Sequence, residues 1–243
     1  MTVSEPITEI LDDLDALSHR VADWLLGEAA QTEGRFAIAL SGGSTPKHLY
    51  EILSQHPHRD RFPWLRTHLF WGDERFVPHD HPDSNYRMVQ EALIMRVPIP
   101  SENVHPVPIQ GSPQDAARAY EATLRSFYGT AELDPGRPLF DVVLLGIGAD
   151  GHTASLFPGD PVLDERQAWV SAVVGAKPEP RITLTYPALA SSRTLAFLVT
   201  GEEKRAIAAR VRSGDTELPA ARVSTRGQLR WFMDRAAAET REQ

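Results

Sequence analysis

The stretch FDVVLLGIGADGHTASLFPG, Phe140–Gly159, decides how the rest of the chain is read. Val142 to Leu145 form an unbroken apolar run with β-branched residues at its start, the pattern of a strand buried on both faces. Gly146, Gly148 and Gly151 follow at once and let the backbone take positive φ or come close to a ligand. Asp150 and His152 stand in the same turn and concentrate there the groups capable of proton chemistry. His152 is therefore taken as the centre of the active site.

The three glycines also fit G-x-G-x-x-G after a strand, which marks a dinucleotide site when a helix follows and an acid lies about 20 residues on. Pro158 and Pro161 stop such a helix soon after it could start, and the next strand-like run, Ala168 to Val174, ends in Gly175 and Ala176 without an acid to hold a ribose. A nicotinamide or flavin site is not expected.

With 243 residues and 42% hydrophobic content, the chain can bury a substantial core, and one α/β domain over residues 1–243 is expected. Thirty-three acids against 25 bases give a net charge of -8, so the global field favours neither nucleic acid nor an anionic membrane as partner. An anionic substrate would need local cations. The absence of cysteine excludes disulfides, thiolate catalysis and thiolate metal sites. The opening MTVSEPITEILDDLDAL lacks a basic n-region and a continuous apolar h-region, and no apolar run approaches membrane-spanning length. A cytoplasmic protein is the expectation.

Working outward, apolar residues from Ile7 to Ala30 recur at helical spacing and predict one packing helix. Arg35 to Leu40 reads as a buried strand that runs into Ser41-Gly42-Gly43-Ser44-Thr45-Pro46 and a helix to Leu53. Converging N–H groups and hydroxyls make this turn a phosphate cradle, with an ordinary helix cap as the competing reading. It is not a P-loop, because Lys47 is followed by His48, and Ser44 with Lys47 matches S-x-x-K without its companion motifs. After a polar connection at Arg59 to Trp64, the strand Thr67 to Trp71 leads into Gly72-Asp73-Glu74-Arg75, at the strand end where open α/β sheets place substrates. His79, Asp80, His81 and Asp83 raise a metal hypothesis, but their alternation beside Pro78 and Pro82 reads as a solvated loop, and no metal is expected.

Ser84 caps a predicted helix from Asn85 to Arg96, Pro98 to Pro113 is a connector, and Gln114 to Tyr128 is a second amphipathic helix. Beyond the central stretch come strands at Ala168 to Val174, Ile182 to Thr185 and Thr194 to Thr200. Arg181 reads as an anion clamp or a surface charge. Lys204 stands at a helix start, where its charge opposes the helix dipole. A last strand at Ala221 to Ser224 and a closing helix at Gln228 to Ala238 complete the reading.

Taken together, SGGSTP at Ser41–Pro46, WGDER at Trp71–Arg75, Ser84-Asn85, LGIGADGHTASLFPG at Leu145–Gly159, RITLT at Arg181–Thr185 and GEEK at Gly201–Lys204 make the chain resemble the 6-phosphogluconolactonase family, which is related to glucosamine-6-phosphate deaminases and isomerases. The resemblance implies a doubly wound α/β fold, a mainly parallel sheet with helices on both faces and a small accessory lobe. It implies hydrolysis of 6-phospho-D-glucono-1,5-lactone to 6-phosphogluconate without metal or organic cofactor, by a protein for which a monomer is favoured. By the same resemblance His152 is the general base, and the Ser41, Gly42, Gly43, Ser44 and Thr45 loop holds phosphate with Arg181 and Lys204. Asp73, Arg75, Asn85 and Asp150 complete the site.

The residue chemistry agrees. A lactone is an activated ester, and histidine supplies a base near working pH without much tuning. Arg75 or a glycine-turn N–H is the donor for the oxyanion. Asp150 either orients the imidazole or shapes the turn through an Asx-type bond. An isomerase or amino-sugar-phosphate deaminase on the same scaffold is the first alternative. Deaminases typically carry a glutamate where this chain has Phe157 and a DEY-like motif where it has Asp73-Glu74-Arg75. Those departures weigh against deamination and leave isomerisation through Asp73. A silent sugar-phosphate sensor is the second alternative.

Overall fold

The computed structural model describes residues 5–238; residues 1–4 and 239–243, which the single-domain expectation includes, lie outside them. The strands are β1 (Ile7–Leu11), β2 (Phe36–Leu40), β3 (Thr67–Trp71), β4 (Asp73–Arg75), β5 (Phe140–Leu145), β6 (Val170–Val173), β7 (Arg181–Leu184), β8 (Ser192–Val199) and β9 (Gln228–Asp234). The helices are α1 (Leu14–Gln31), α2 (Ser44–Leu53), α3 (His58–Arg61), α4 (Asn85–Ala92), α5 (Pro113–Tyr128), α6 (Tyr186–Ala190), α7 (Arg205–Arg212) and α8 (Arg235–Ala238).

Six strands form one sheet in the order β3-β2-β5-β8-β9-β1, every neighbouring pair parallel. All five residues of β2 and all six of β5 are buried, as two-faced cover demands of central parallel strands. The chain steps from β2 outward to β3, then returns across β2 to β5 and proceeds to β8 and β9. By the right-handed rule for parallel crossovers, connections running in the two directions lie on opposite faces of the sheet, and α1 and α2, which follow one direction, pack against each other. The expected doubly wound sheet is thus present, and its order reverses between β2 and β5. Loops leaving the carboxyl ends of those two strands diverge there and open a crevice.

The accessory lobe is a three-stranded antiparallel sheet in the order β4-β7-β6. Gly72 alone separates β3 from β4 and ties the sheets together: its N–H donates to the Leu40 carbonyl at 2.8 Å, and its own carbonyl accepts from Leu184 N–H at 2.9 Å.

Both chain ends differ from expectation. Ile7 to Leu11 is an edge strand on β9, and the helix starts only after Asp13, whose carboxylate accepts the Ala16 N–H at 2.9 Å. Gln228 to Asp234 is a strand between β8 and β1, leaving only Arg235–Ala238 helical. Short apolar runs satisfy both periods, and the open edge of β8 claims this one. Ala221 to Ser224 forms no strand, because Pro219–Arg222 is a 3-10 turn. The helix expected to reach Arg96 stops at Ala92 and gives way to a 3-10 turn at Ile94–Arg96, and part of the polar connection at Arg59 to Trp64 is helical as α3. Ser84 does cap α4, accepting from Arg87 N–H at 3.2 Å. Among the described residues no helix is long and apolar enough to cross a membrane.

Candidate active site

A cleft of about 260 Å³ opens at the carboxyl ends of the central strands. Ser41, Gly42 and Gly43 line it after β2, Asp73 and Arg75 on β4, and Asn85 at the start of α4. Gly146, Ile147, Gly148, His152, Thr153 and Ala154 contribute after β5, and Lys204 before α7. A larger hollow of about 410 Å³ lies at the amino ends of β5 and β8, but no histidine lines it.

The turn after β2 is fixed from below. The Tyr50 hydroxyl, fully buried, accepts the Ser41 N–H at 3.0 Å and donates to the Ser41 carbonyl at 2.9 Å. Tyr120 makes the same two bonds to Trp71 at the end of β3, at 2.7 and 3.0 Å. Each phenol satisfies both backbone groups of a strand-end residue, and an unsatisfied buried pair would cost about 1–3 kcal/mol per group. Burial pushes both phenol pKa values up, so the hydroxyls stay protonated and able to donate. Gly42 is required by close approach, since a Cβ there would lie 2.1 Å from Asn85 Oδ1.

On β4 the three charged residues separate by strand alternation. Glu74 turns inward, where its carboxylate accepts the N–H groups of Arg75, Asn85 and Tyr86, each at 2.7 Å, and the Ser84 hydroxyl at 3.1 Å. It is a structural cap on the amino end of α4. Burial pushes its pKa up while those backbone donors pull it down. Asp73 and Arg75 face the cleft instead. Ser155 donates to the Asp73 carboxylate at 2.7 Å, and Asn85 Nδ2 donates to the Asp73 carbonyl at 2.9 Å. Arg75 N–H groups on Nη1 reach the Asp83 carbonyl at 2.6 Å. Directly across from Arg75 in the small sheet stands Arg181. Burial and then the facing charge of Arg75 pull the Arg181 guanidinium below its ordinary range, and its buried Nε has no hydrogen-bond partner among the described residues.

The turn after β5 is built around His152. Gly148 N–H donates to the His152 carbonyl at 2.8 Å, Gly151 N–H to the Gly148 carbonyl at 3.0 Å, and the Thr153 hydroxyl to the Gly146 carbonyl at 2.8 Å. The imidazole folds back over Gly148: a Cβ at that position would lie 1.9 Å from His152 Nδ1. Asp150 Oδ1 accepts the His152 backbone N–H at 3.1 Å and also meets the ring Nδ1. The two readings of Asp150 are not exclusive, since the same oxygen contacts the turn backbone and the ring. Although burial opposes charge on Asp150, the His152 ring and backbone and then Lys177 hold its carboxyl below the usual carboxylate range. A carboxylate only accepts, so the ring nitrogen that meets Asp150 is the donor Nδ1–H, and Nε2 is the nitrogen left without an Asp150 contact. Phe157 packs on the ring with centroids 4.7 Å apart. Ala154, beside His152 in the cleft, is the one non-glycine residue with positive φ among those described, at 48°.

His152, Lys204, Ser41, Gly42, Gly43, Asp73, Arg75 and Asn85 thus meet in one cleft. Asp150 stands behind His152 rather than on the wall. Ser44 opens α2 and is exposed, while the Thr45 hydroxyl lies 2.6 Å from that of Thr200. Arg181 stands across from Arg75 in the small sheet and is not part of the cleft wall. At the histidine-aspartate loop, His79 bonds the Val107 carbonyl at 2.9 Å and packs on Tyr86, whereas His81 faces Asp83 at 3.6 Å, so the groups turn to separate partners. Ser155 and Lys177 escaped the sequence reading, because a serine inside a specific motif and a lysine in a proline-rich turn carry no periodic signal.

Residues 12–231 match the family described as glucosamine-6-phosphate isomerases/6-phosphogluconolactonase. The chain belongs to this family. Among similar proteins, the 6-phosphogluconolactonase of Nostoc sp. (strain PCC 7120) is 44% identical over 94% of this chain and 95% of its own. That of Synechocystis sp. (strain PCC 6803) is 41% identical over 87% of both. The crystal structure of 6-phosphogluconolactonase from Thermotoga maritima superposes with a TM-score of 0.81 at 32% identity, covering 95% of this chain and all of the other, 100%.

Proposed function

We propose that this protein hydrolyses 6-phospho-D-glucono-1,5-lactone to 6-phospho-D-gluconate, the lactone-opening step of the oxidative pentose phosphate pathway, with His152 as general base. The observation that carries the reading is the meeting of an aspartate-held imidazole with the Lys204 ammonium and the Ser41–Gly43 turn in one cleft. Similarity to named lactonases over nearly the whole chain supports the same substrate.

With Nδ1 committed to Asp150, Nε2 takes a proton from water as the water oxygen bonds to the lactone carbonyl carbon. The carbonyl π electrons move to its oxygen, and Arg75 or an N–H of the Gly146–Gly148 turn receives that oxyanion. When the oxyanion collapses, the bond from C1 to the ring oxygen breaks, and the imidazolium returns its proton to the departing oxygen. The product acid then ionises. Asp150 stabilises the transient imidazolium. The phosphate lies far from the reacting carbon, so its contacts with Lys204 and the Gly42 and Gly43 N–H groups position the ester beside His152. Arg181, across from Arg75 in the small sheet and with a buried Nε that has no hydrogen-bond partner among the described residues, strengthens the field felt by the anion. All these side chains come from one α/β unit, so a monomer suffices.

Isomerase chemistry through Asp73 is the second reading, because that carboxylate faces the cleft and is fixed by Ser155. Purified protein is offered fresh 6-phosphogluconolactone and, separately, glucosamine 6-phosphate. Acid release from the lactone above the spontaneous rate is expected. Ammonia release or sugar isomerisation, with the lactone untouched, would replace the hydrolase reading.

A further inference from the structure

Lys177 lies in the turn between β6 and β7, outside the wall of the cleft. Its Nζ stands 3.9 Å from Asp150 Oδ2 and 5.1 Å from the centroid of the Phe157 ring, the same ring that packs on His152. Asp150 therefore divides its carboxylate, with Oδ1 turned to the imidazole and Oδ2 to the ammonium. At 3.9 Å the lysine contact is a charge interaction rather than a hydrogen bond. Both partners are about two-fifths exposed, at 40% and 42%, so the pair adds little to stability. Its consequence falls on the one neighbour that must change charge.

We propose that Lys177 is a positioning residue for the reaction: it holds Asp150 through Oδ2, with Phe157 as the platform between the ammonium and the imidazole, and so fixes the ring and the charge around it. This rests on reading His152 as the base. The nearby ammonium discourages the imidazole from binding a proton in the resting enzyme, which keeps the base free, while Asp150 still supports the imidazolium that forms in the reaction. Other charges that share the cleft with the His152 ring are Asp73 and Arg75 from β4 and Lys204 from the turn before α7, with Glu179 and Arg181 further along the Lys177 hairpin. All remain in place when Lys177 alone is changed.

The test compares wild type, Lys177→Met and Lys177→Arg by the pH dependence of kcat/KM for lactone hydrolysis, and by NMR titration of the His152 ring proton, assigned by its absence from His152→Ala. Removing the cation is expected to move the acid limb and the NMR midpoint upward by about 0.5–1 pH unit, a three- to tenfold loss of kcat/KM at low pH. Lys177→Arg should restore both, and the melting temperature should not move by more than about 2 °C in either variant. An unmoved NMR midpoint in Lys177→Met overturns the proposal whatever the activity. A raised KM with an unmoved acid limb also overturns it, because Lys177 would then be a substrate ligand. Failure of the base reading looks different: His152→Ala would hydrolyse at the wild-type rate while the titration still reports on Lys177.

Discussion

The turn after β5 and the outer side of β3 both hold imidazoles, and they hold them in opposite ways. His152 stands at a strand's carboxyl end with a carboxylate on one nitrogen and the cleft before the other. His68 and His105 instead face each other, Nδ1 to Nε2 at 3.1 Å, stacked among Phe70 and Phe127 with the Arg35 guanidinium above Phe127. Burial, then Arg35, lowers the His68 pKa; burial, then His68, lowers that of His105 to about 4. Among the described residues no carboxylate meets either ring. Under the proposed mechanism an imidazole becomes a base through its partners: an acceptor at one nitrogen and access at the other suit His152 to that role, while burial under aromatic cover disfavours the charged form of His68 and of His105 beside it.

Four substitutions test that contrast, in descending order of effect. His152→Ala should lower kcat/KM for lactone hydrolysis by about 10²–10⁴, the usual worth of a positioned base, with affinity for 6-phosphogluconate retained in a binding titration. A wild-type rate would erase the distinction between the two sites. Gly148→Ala drives a methyl group into the ring position, 1.9 Å from Nδ1, so the imidazole must swing away. A fall of about 10–100-fold in kcat is expected, with KM little changed, since misplacement by an ångström carries such a penalty. Lys204→Ala acts on the opposite wall, and steady-state kinetics should show KM raised by about tenfold with kcat nearly kept, as for uniform phosphate binding. Equal losses in kcat and kcat/KM would move Lys204 into the transition state.

The smallest effect on turnover belongs to His105→Phe, expected to leave kcat within about twofold because no imidazole there reaches substrate. Its signature lies in stability. Between the ordinary histidine value of about 6.5 and the folded value of about 4, the unfolded chain binds a proton that the folded chain refuses, so wild type loses stability as pH falls through that window. Phenylalanine removes that contribution. Urea midpoints at pH 7 and pH 4.5 should therefore lie closer together in the variant, and an unchanged difference would show that His105 is not held neutral.

Much of this was legible before any coordinates. The apolar runs Phe36–Leu40, Leu69–Trp71 and Val142–Leu145, each ending in a turn of glycines and polar residues, announce buried parallel strands with functional ends, because two-faced burial leaves little room for polar alternation. The chain ends were not legible. Ile7 to Leu11 and Gln228 to Asp234 carry apolar residues that suit a helix or an edge strand equally, and the choice follows from β8 presenting an unpaired edge. Glu74 shows the limit at the site itself: beside Asp73 in sequence and equally acidic, it is consumed by the amino end of α4.

Sequence alone determined the strand-end turns, the histidine within a glycine setting and the family to which those motifs point, since each is a local pattern of residue types. Tertiary structure decided what each acid and cation does. The reversal of strand order between β2 and β5 brings turns more than a hundred residues apart to one crevice. The β4–β7 pairing sets Arg181 across from Arg75, and the β6–β7 hairpin carries Lys177 to Asp150. Charges interact through space with a strength set by distance and burial, and neither quantity is written along the chain.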